Sequence, residues 1–236
     1  MTEPMLVLDD VQTYIQQHHI LQGISLSVMP GRVTVLLGRN GAGKSTTLRT
    51  IMGLTPPKTG RITLNGDEIQ NLKTFEIVRR GIGFVPEDQS ILATLTVGEN
   101  LRLAMLKETE AAWQRSEKVF ELFPDLKKYI NQTAGYLSGG QKQMLAIARA
   151  FIGDNNLLLI DEPSKGLAPL LVQQLGESLN QIKQSTTVIL VEQNFFLASL
   201  VGSDVFILDD GRVVHQGIMQ DLEQDQAVKQ KYLGIS

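Results

Sequence analysis

Val33-Thr34-Val35-Leu36-Leu37-Gly38-Arg39-Asn40-Gly41-Ala42-Gly43-Lys44-Ser45 is the stretch from which the rest of the chain can be read. Val33 to Leu37 run apolar or β-branched without polar alternation, as in a strand covered on both faces. Gly38 to Ser45 then match G-x-x-x-x-G-K-[ST] in full. A helix-compatible segment begins near Lys44, so the motif has the strand, loop and helix context it requires. Glycines let backbone N–H groups converge on phosphate oxygens, and the helix adds unsatisfied N–H groups and the positive end of its dipole. Lys44 is expected to reach β- and γ-phosphates and the Ser45 hydroxyl to ligate Mg²⁺. Arg39, Asn40, Gly41, Ala42, Gly43 and Thr46 belong to the same phosphate-binding segment. The competing reading, a glycine-rich turn with a chance lysine, does not account for the flanking strand and helix.

A phosphate cradle of this kind needs a carboxylate on the metal side. Leu157-Leu158-Leu159-Ile160-Asp161-Glu162-Pro163 supplies two at the end of a second apolar run. Asp161 is the candidate for holding Mg²⁺, and Glu162 for polarising an attacking water as general base. An isolated Asp-Glu pair would more simply end a strand, but this one follows a complete phosphate loop.

Outward from these two segments, short apolar runs bounded by Gly, Pro, Asn or Asp predict strands at 5–8, 24–28, 61–64, 82–85, 187–191 and 205–208. The continuous runs at 33–37, 157–160 and 187–191 point to a parallel sheet covered by helices. Alternation of Ile24, Leu26 and Val28 with Ser25 and Ser27 points to a half-exposed antiparallel sheet near the N-terminus. Residues 96–153 contain no convincing strand. Thr96-Val97-Gly98-Glu99 has capping-box form and opens a helix expected to reach about Leu106. A second helix fits 110–123 and stops at Pro124. Ser138-Gly139-Gly140-Gln141 repeats the box, and Met144, Ile147, Ala148, Phe151 and Ile152 then follow the spacing of a helix packed on one face. Trp113 and Phe120 read as core, and Glu108, Glu110, Glu117 and Lys118 as a solvated face. Phe195-Phe196-Leu197 fits either core or an interface.

The 236 residues suffice for one large domain or a domain carrying a lobe. A hydrophobic share of 42% and a charged share of 20% are those of an ordinary globular protein. Lys and Arg number 22 against 25 Asp and Glu, a net charge of −3, which argues against nucleic acid as a main partner. With no cysteine, disulfide scaffolds and thiolate chemistry are excluded, and a reducing compartment fits. No apolar run approaches the ~20 residues that span a bilayer, and the N-terminus does not read as a signal peptide. His18, His19 and His215 form no recognisable ligand pattern, and His18-His19 falls in a hairpin or loop.

Leu137-Ser138-Gly139-Gly140-Gln141, 23 residues before Asp161 counted from Ser138, resembles the signature motif of ABC-transporter ATP-binding subunits. Other segments resemble one branch, the second ATP-binding subunit of branched-chain amino-acid importers. They are Val85-Pro86-Glu87, Gln143-Met144-Leu145-Ala146-Ile147-Ala148-Arg149, Gly166-Leu167-Ala168-Pro169, Val191-Glu192-Gln193-Asn194 and Tyr232-Leu233-Gly234. Urea and amide importers share most of them.

The resemblance implies an α/β fold, a P-loop NTPase of the ABC type with a parallel core sheet, an N-terminal antiparallel β-subdomain and an inserted α-helical lobe. One domain over 1–236 would divide into a core, 1–85 and 154–236, and a lobe, 86–153. ATP and Mg²⁺ are the implied cofactors. The implied partners are a second ATP-binding subunit, two transmembrane permease subunits and an extracytoplasmic solute-binding protein, with the chain peripheral on the cytoplasmic face of the membrane.

Ser138, Gly139, Gly140 and Gln141 would complete the nucleotide site of the opposite subunit. Glu87 stands where the family usually has a glutamine linking Mg²⁺ and water to the lobe; as a carboxylate it can ligate the ion more strongly than an amide, but its charge would oppose a γ-phosphate. Gln193 replaces the switch histidine and can donate a hydrogen bond but cannot become cationic. Ala168 replaces an aspartate. Tyr14 is the candidate to stack on adenine, with Ile15 as an apolar alternative. Two other classes remain as rivals. A non-transport ABC ATPase usually carries paired cassettes or coiled-coil insertions, which this chain lacks. A GTPase or small-molecule kinase would lack the signature, and no Asn-Lys-x-Asp sequence is present.

Overall fold

The computed structural model describes residues 3–105, 110–153 and 155–235. Two sheets organise them. Strands β1 (Leu6–Ile15) and β2 (His18–Val28) form a hairpin turning at Gln16-Gln17. Strand β3 (Val33–Leu37) leads into helix α1 (Lys44–Ile51), followed by β4 (Thr59–Leu64), the two-residue β5 (Asp67–Glu68), helix α2 (Thr74–Arg79) and β6 (Ile82–Val85). The antiparallel sheet has the order β2-β1-β4-β5. Ile24, Leu26 and Val28 are buried while Ser25 and Ser27 are exposed, as the alternation predicts.

Helices α3 (Val97–Ala104), α4 (Glu110–Leu122), α5 (Pro124–Lys128) and α6 (Gly139–Ile152) lie between β6 and β7 (Leu157–Asp161). Then come α7 (Pro169–Ile182), β8 (Thr187–Val191), α8 (Phe195–Val201), β9 (Asp204–Asp209), β10 (Arg212–Ile218) and α9 (Met219–Gln224). The second sheet runs β10-β9-β3-β8-β7-β6. Its first five strands in chain order, β3 and β6 to β9, pair parallel; β10 pairs antiparallel to β9, so the sheet is mixed at one edge. The sequence conceals β10 because four of its seven residues are exposed and its apolar positions do not alternate.

β3, β7 and β8 are buried at every position, and the period of two sorts their side chains between two cores. Val33, Val35, Leu37, Leu158, Ile160, Val188 and Leu190 pack with α3, α6, α7 and α8 on one face. Leu36, Leu157, Leu159, Ile189 and Val191 pack on the other with α1 and the antiparallel sheet. A sheet covered on both faces can present ligand groups only at its strand ends.

Both capping boxes form: Thr96 with Glu99, and Ser138 with Gln141. Helix α3 ends at Ala104; Leu106 and Glu108 lie outside the described residues. The second helix stops before Pro124 as expected, at Leu122, but a new helix starts at the proline, because proline at a first helical position costs no hydrogen bond. Trp113 is not core: it is 46% exposed, whereas Phe120 packs partly buried against the core. A seven-residue spacing puts the two rings on one side of α4 but about two turns apart, so the core that covers Phe120 need not extend to Trp113. In the Phe195-Phe196-Leu197 triplet, Leu197 is buried and Phe196 exposed. Among the described residues, no helix is long and apolar enough to cross a membrane.

Candidate nucleotide site

Four adjacent parallel strands, β3, β8, β7 and β6, end side by side. Register aligns Leu36 with Val191, Val191 with Asp161, and Val85 with Ile160. The residues just beyond these ends therefore meet: the loop 38–45 after β3, Gln193 after β8, Glu162 after β7 and Glu87 after β6. This is the crevice in which open α/β sheets bind ligands.

Gly38 makes the loop possible. At φ 146° it lies where side chains are strained, and a Cβ there would come 2.2 Å from the Leu208 carbonyl oxygen of β9. Gly43, at φ 99°, caps α1 in the left-handed conformation. The Lys44 ammonium curls back over the loop, donating to the carbonyls of Gly38 at 2.9 Å and Arg39 at 3.1 Å, and lies 3.5 Å from a Glu162 carboxylate oxygen. Lys44 is 4% exposed.

Ser45 Oγ donates to Asp161 Oδ1 at 2.9 Å. Burial is the main force pushing the Asp161 carboxyl up from the ordinary 3.8 to about 6. The Ser45 hydrogen bond opposes it, the charges of Glu162 and Glu87 add to it, and Lys44 again opposes it. A folded-state value above the unfolded one means that the folded chain resists an ionisation the unfolded chain undergoes freely. The resulting penalty grows as pH rises from about 4 to about 6 and persists above that. Asp161→Asn is therefore expected to stabilise the nucleotide-free chain at pH 7.5 by about 2 kcal/mol, some 4–8 °C in Tm, with the gain vanishing near pH 4. Thermal unfolding across that range checks it; a gain that does not vary with pH would reject the burial account.

Glu162 sits at φ 44°, uncommon for a residue with a side chain, and is 8% exposed. Its Oε1 accepts a 2.6 Å hydrogen bond from Gln193 Nε2, and the same amide nitrogen donates to Asn40 Oδ1 at 2.6 Å. Gln193 thus ties the β3 loop to the carboxylate after β7. A carboxylate held between an ammonium and an amide is well placed to accept a proton from water.

The pocket in front of the loop has a volume of about 350 Å³ and is lined by Ile15, Ile20, Gly41, Thr46, Glu87 and Lys165 as well as by Lys44, Ser45 and Glu162. Ile15, not Tyr14, lines it. Successive residues of β1 point to opposite faces, and the Tyr14 ring stacks on His19 with centroids 4.2 Å apart and has Lys58 Nζ 4.9 Å from its centroid. Ser138, Gly140 and Gln141 line a different groove, with residues of α4, α5 and α7, and are not brought to this pocket. In the capping box the Gln141 side chain accepts from the Ser138 backbone N–H and the exposed Ser138 hydroxyl accepts from that of Gln141. A Cβ on Gly140 would meet Leu171 Cδ1 at 2.7 Å, whereas Gly139 faces open space.

The sequence reading assigned no role to two charged residues of this region. Lys165, three positions after Glu162, reaches Glu87 Oε1 at 2.5 Å, and that carboxylate raises the pKa of the ammonium. Glu192, 1% exposed, accepts from the Ser164 hydroxyl, from the Ser164 backbone N–H, and from those of Gln193 and Asn194. Burial raises its pKa against these bonds. It stitches the segment after β7 to Gln193. An acid directly after the buried strand β8 and directly before Gln193 was the available signal.

The family profile described as ABC transporter matches residues 21–165, from β2 through the phosphate loop and the signature to Lys165. The chain belongs to the ABC transporter family. This ABC subunit is 40% identical over 98% of its length to the high-affinity branched-chain amino acid transport ATP-binding protein BraG of Pseudomonas aeruginosa, all of which is covered. It is 31% identical to the lipopolysaccharide export system ATP-binding protein LptB of Escherichia coli, over 91% of each chain. The ADP conformation of MJ1267, an ATP-binding cassette of an ABC transporter, superposes with a TM-score of 0.86 at 25% identity, over 99% of this chain and 100% of that one. The ABC subunit is thus an ATPase of the transporter type, binding adenine nucleotides and working with permease subunits.

Proposed function

We propose that the chain energises uptake of branched-chain amino acids, as one ATPase of an importer. The observation that carries this is its end-to-end similarity to BraG, closer than to the export subunit LptB. Lys44 and the loop 38–46 hold the phosphates. Ser45 and Asp161, two hard oxygen donors already 2.9 Å apart, fit a Mg²⁺ ion, which would neutralise phosphate charge, and Glu87 is a third oxygen donor at the same edge. Glu162 accepts the proton of the attacking water, and Gln193 holds Glu162. Ile15 gives the base an apolar contact. Ser138, Gly139, Gly140 and Gln141, turned away from their own pocket, serve the nucleotide of a second ATP-binding subunit. Residues 86–153 act as the lobe that carries them. Two permease subunits and a solute-binding protein complete an assembly in which the chain sits on the cytoplasmic face of the membrane.

The test is co-purification with those subunits, followed by ATPase assay in proteoliposomes. Solute-binding protein loaded with leucine, isoleucine or valine is expected to raise turnover several-fold. Stimulation by urea or short amides instead would reassign the solute; recovery with ribosomes would overturn the importer reading.

A further inference from the structure

The geometry points to Lys165 as a positioning residue that neutralises Glu87, allowing an acidic side chain to stand beside the terminal phosphate of ATP. This rests on the proposed reading of the pocket as an ATP site. Lys165 and Glu87 come from the segments following β7 and β6, and both line the pocket with Lys44, Ser45 and Glu162. Their side chains are 64% and 45% exposed, and an ion pair so wetted adds little to folding. Its position gives it another use.

The charged side chains lining the pocket are Lys44 and Lys165 against Glu87 and Glu162, a balance of zero, with Asp161 just behind Ser45. Without Lys165 the lining carries one net negative charge facing an anion. Lys44 cannot compensate for both acids, because it is already directed at Glu162 and two loop carbonyls. Lys165 pairs with Glu87, whereas Lys44 is engaged with Glu162 and the Gly38 and Arg39 carbonyls, so the two lysines share no partner and Lys165 removes the repulsion without displacing Lys44. Repulsion by Glu87 should weigh on the phosphate that ATP has and ADP lacks.

Binding of ATP and ADP to the full-length chain, measured by titration calorimetry without hydrolysis, tests this. Lys165→Met is expected to weaken ATP binding fivefold or more and ADP binding less than twofold, with ADP affinity showing that the fold is intact. In a Glu87→Gln background the same substitution should cost less than twofold, and Lys165→Arg should keep wild-type affinity. Unchanged ATP affinity, an equal loss for ATP and ADP, or a fivefold loss persisting beside Gln at position 87 would each overturn the inference. A wild-type chain that bound neither nucleotide would overturn the ATP-site reading itself, and this inference with it.

Discussion

Glu162→Gln is expected to leave ATP bound at least as tightly as in the wild type while slowing hydrolysis by about a hundredfold or more, the scale of losing a positioned general base. The amide is isosteric with the carboxylate. Its oxygen can still accept the 2.6 Å hydrogen bond from Gln193, so the bridge to Asn40 persists. It loses the basicity, and it also loses one negative charge 3.5 Å from the Lys44 ammonium, which frees that ammonium for phosphate. Binding and chemistry should therefore separate: nucleotide affinity holds or rises while single-turnover phosphate release collapses in the assembled transporter. The strained φ of 44° supports such a role, since a residue is held in that conformation only when its surroundings over-determine it. Hydrolysis within threefold of wild type, with ATP bound, would remove Glu162 from the chemistry. If the proposed assembly pairs this chain with a second ATP-binding subunit, substituting the equivalent glutamate only in that subunit would show whether Gln193 and Glu87 make this site the slower one.

Much of this site was legible because its chemistry is local in sequence. The run Val33 to Ser45 contains strand, loop and helix start together, and the capping boxes at Thr96 and Ser138 need only four residues each. The two-core sheet was readable for a similar reason. Unbroken runs such as Leu157 to Ile160 require cover on both faces, and the structure sorts their alternate side chains to opposite cores. What stayed hidden depends on separations the chain does not advertise. The Lys165–Glu87 pair joins positions 78 apart, and Gln193 meets Asn40 across 153. Tyr14 and Ile15 are adjacent in sequence, yet the pleat sends them to opposite sides of β1, and the pairing with His19 decides which reaches the pocket. β10 was missed because an edge strand need bury little, so its sequence carries only a weak apolar pattern.

Lys44→Ala should have the largest combined effect, because the ammonium serves two roles that can be separated. In the nucleotide-free chain it is 4% exposed, donates to the Gly38 and Arg39 carbonyls and faces Glu162. Removing it leaves two carbonyls and a nearly buried carboxylate without their cation, a loss of about 2 kcal/mol, below the usual cost of breaking a buried pair because Gln193 still holds Glu162. In a chain of this size that lowers Tm by about 4–8 °C. On the ligand side, charge-assisted bonds to two phosphates are lost, about 3 kcal/mol or roughly a hundredfold in ATP affinity. Adding Glu162→Gln to Lys44→Ala discriminates between the two roles. The neutral amide no longer needs a cation, so most of the lost stability should return. ATP affinity should stay low, because the phosphates still lack theirs. Recovery of both together would mean that Lys44 matters to nucleotide only by keeping the loop folded, and the phosphate-binding role would have to pass to the backbone N–H groups of Gly41 to Ser45.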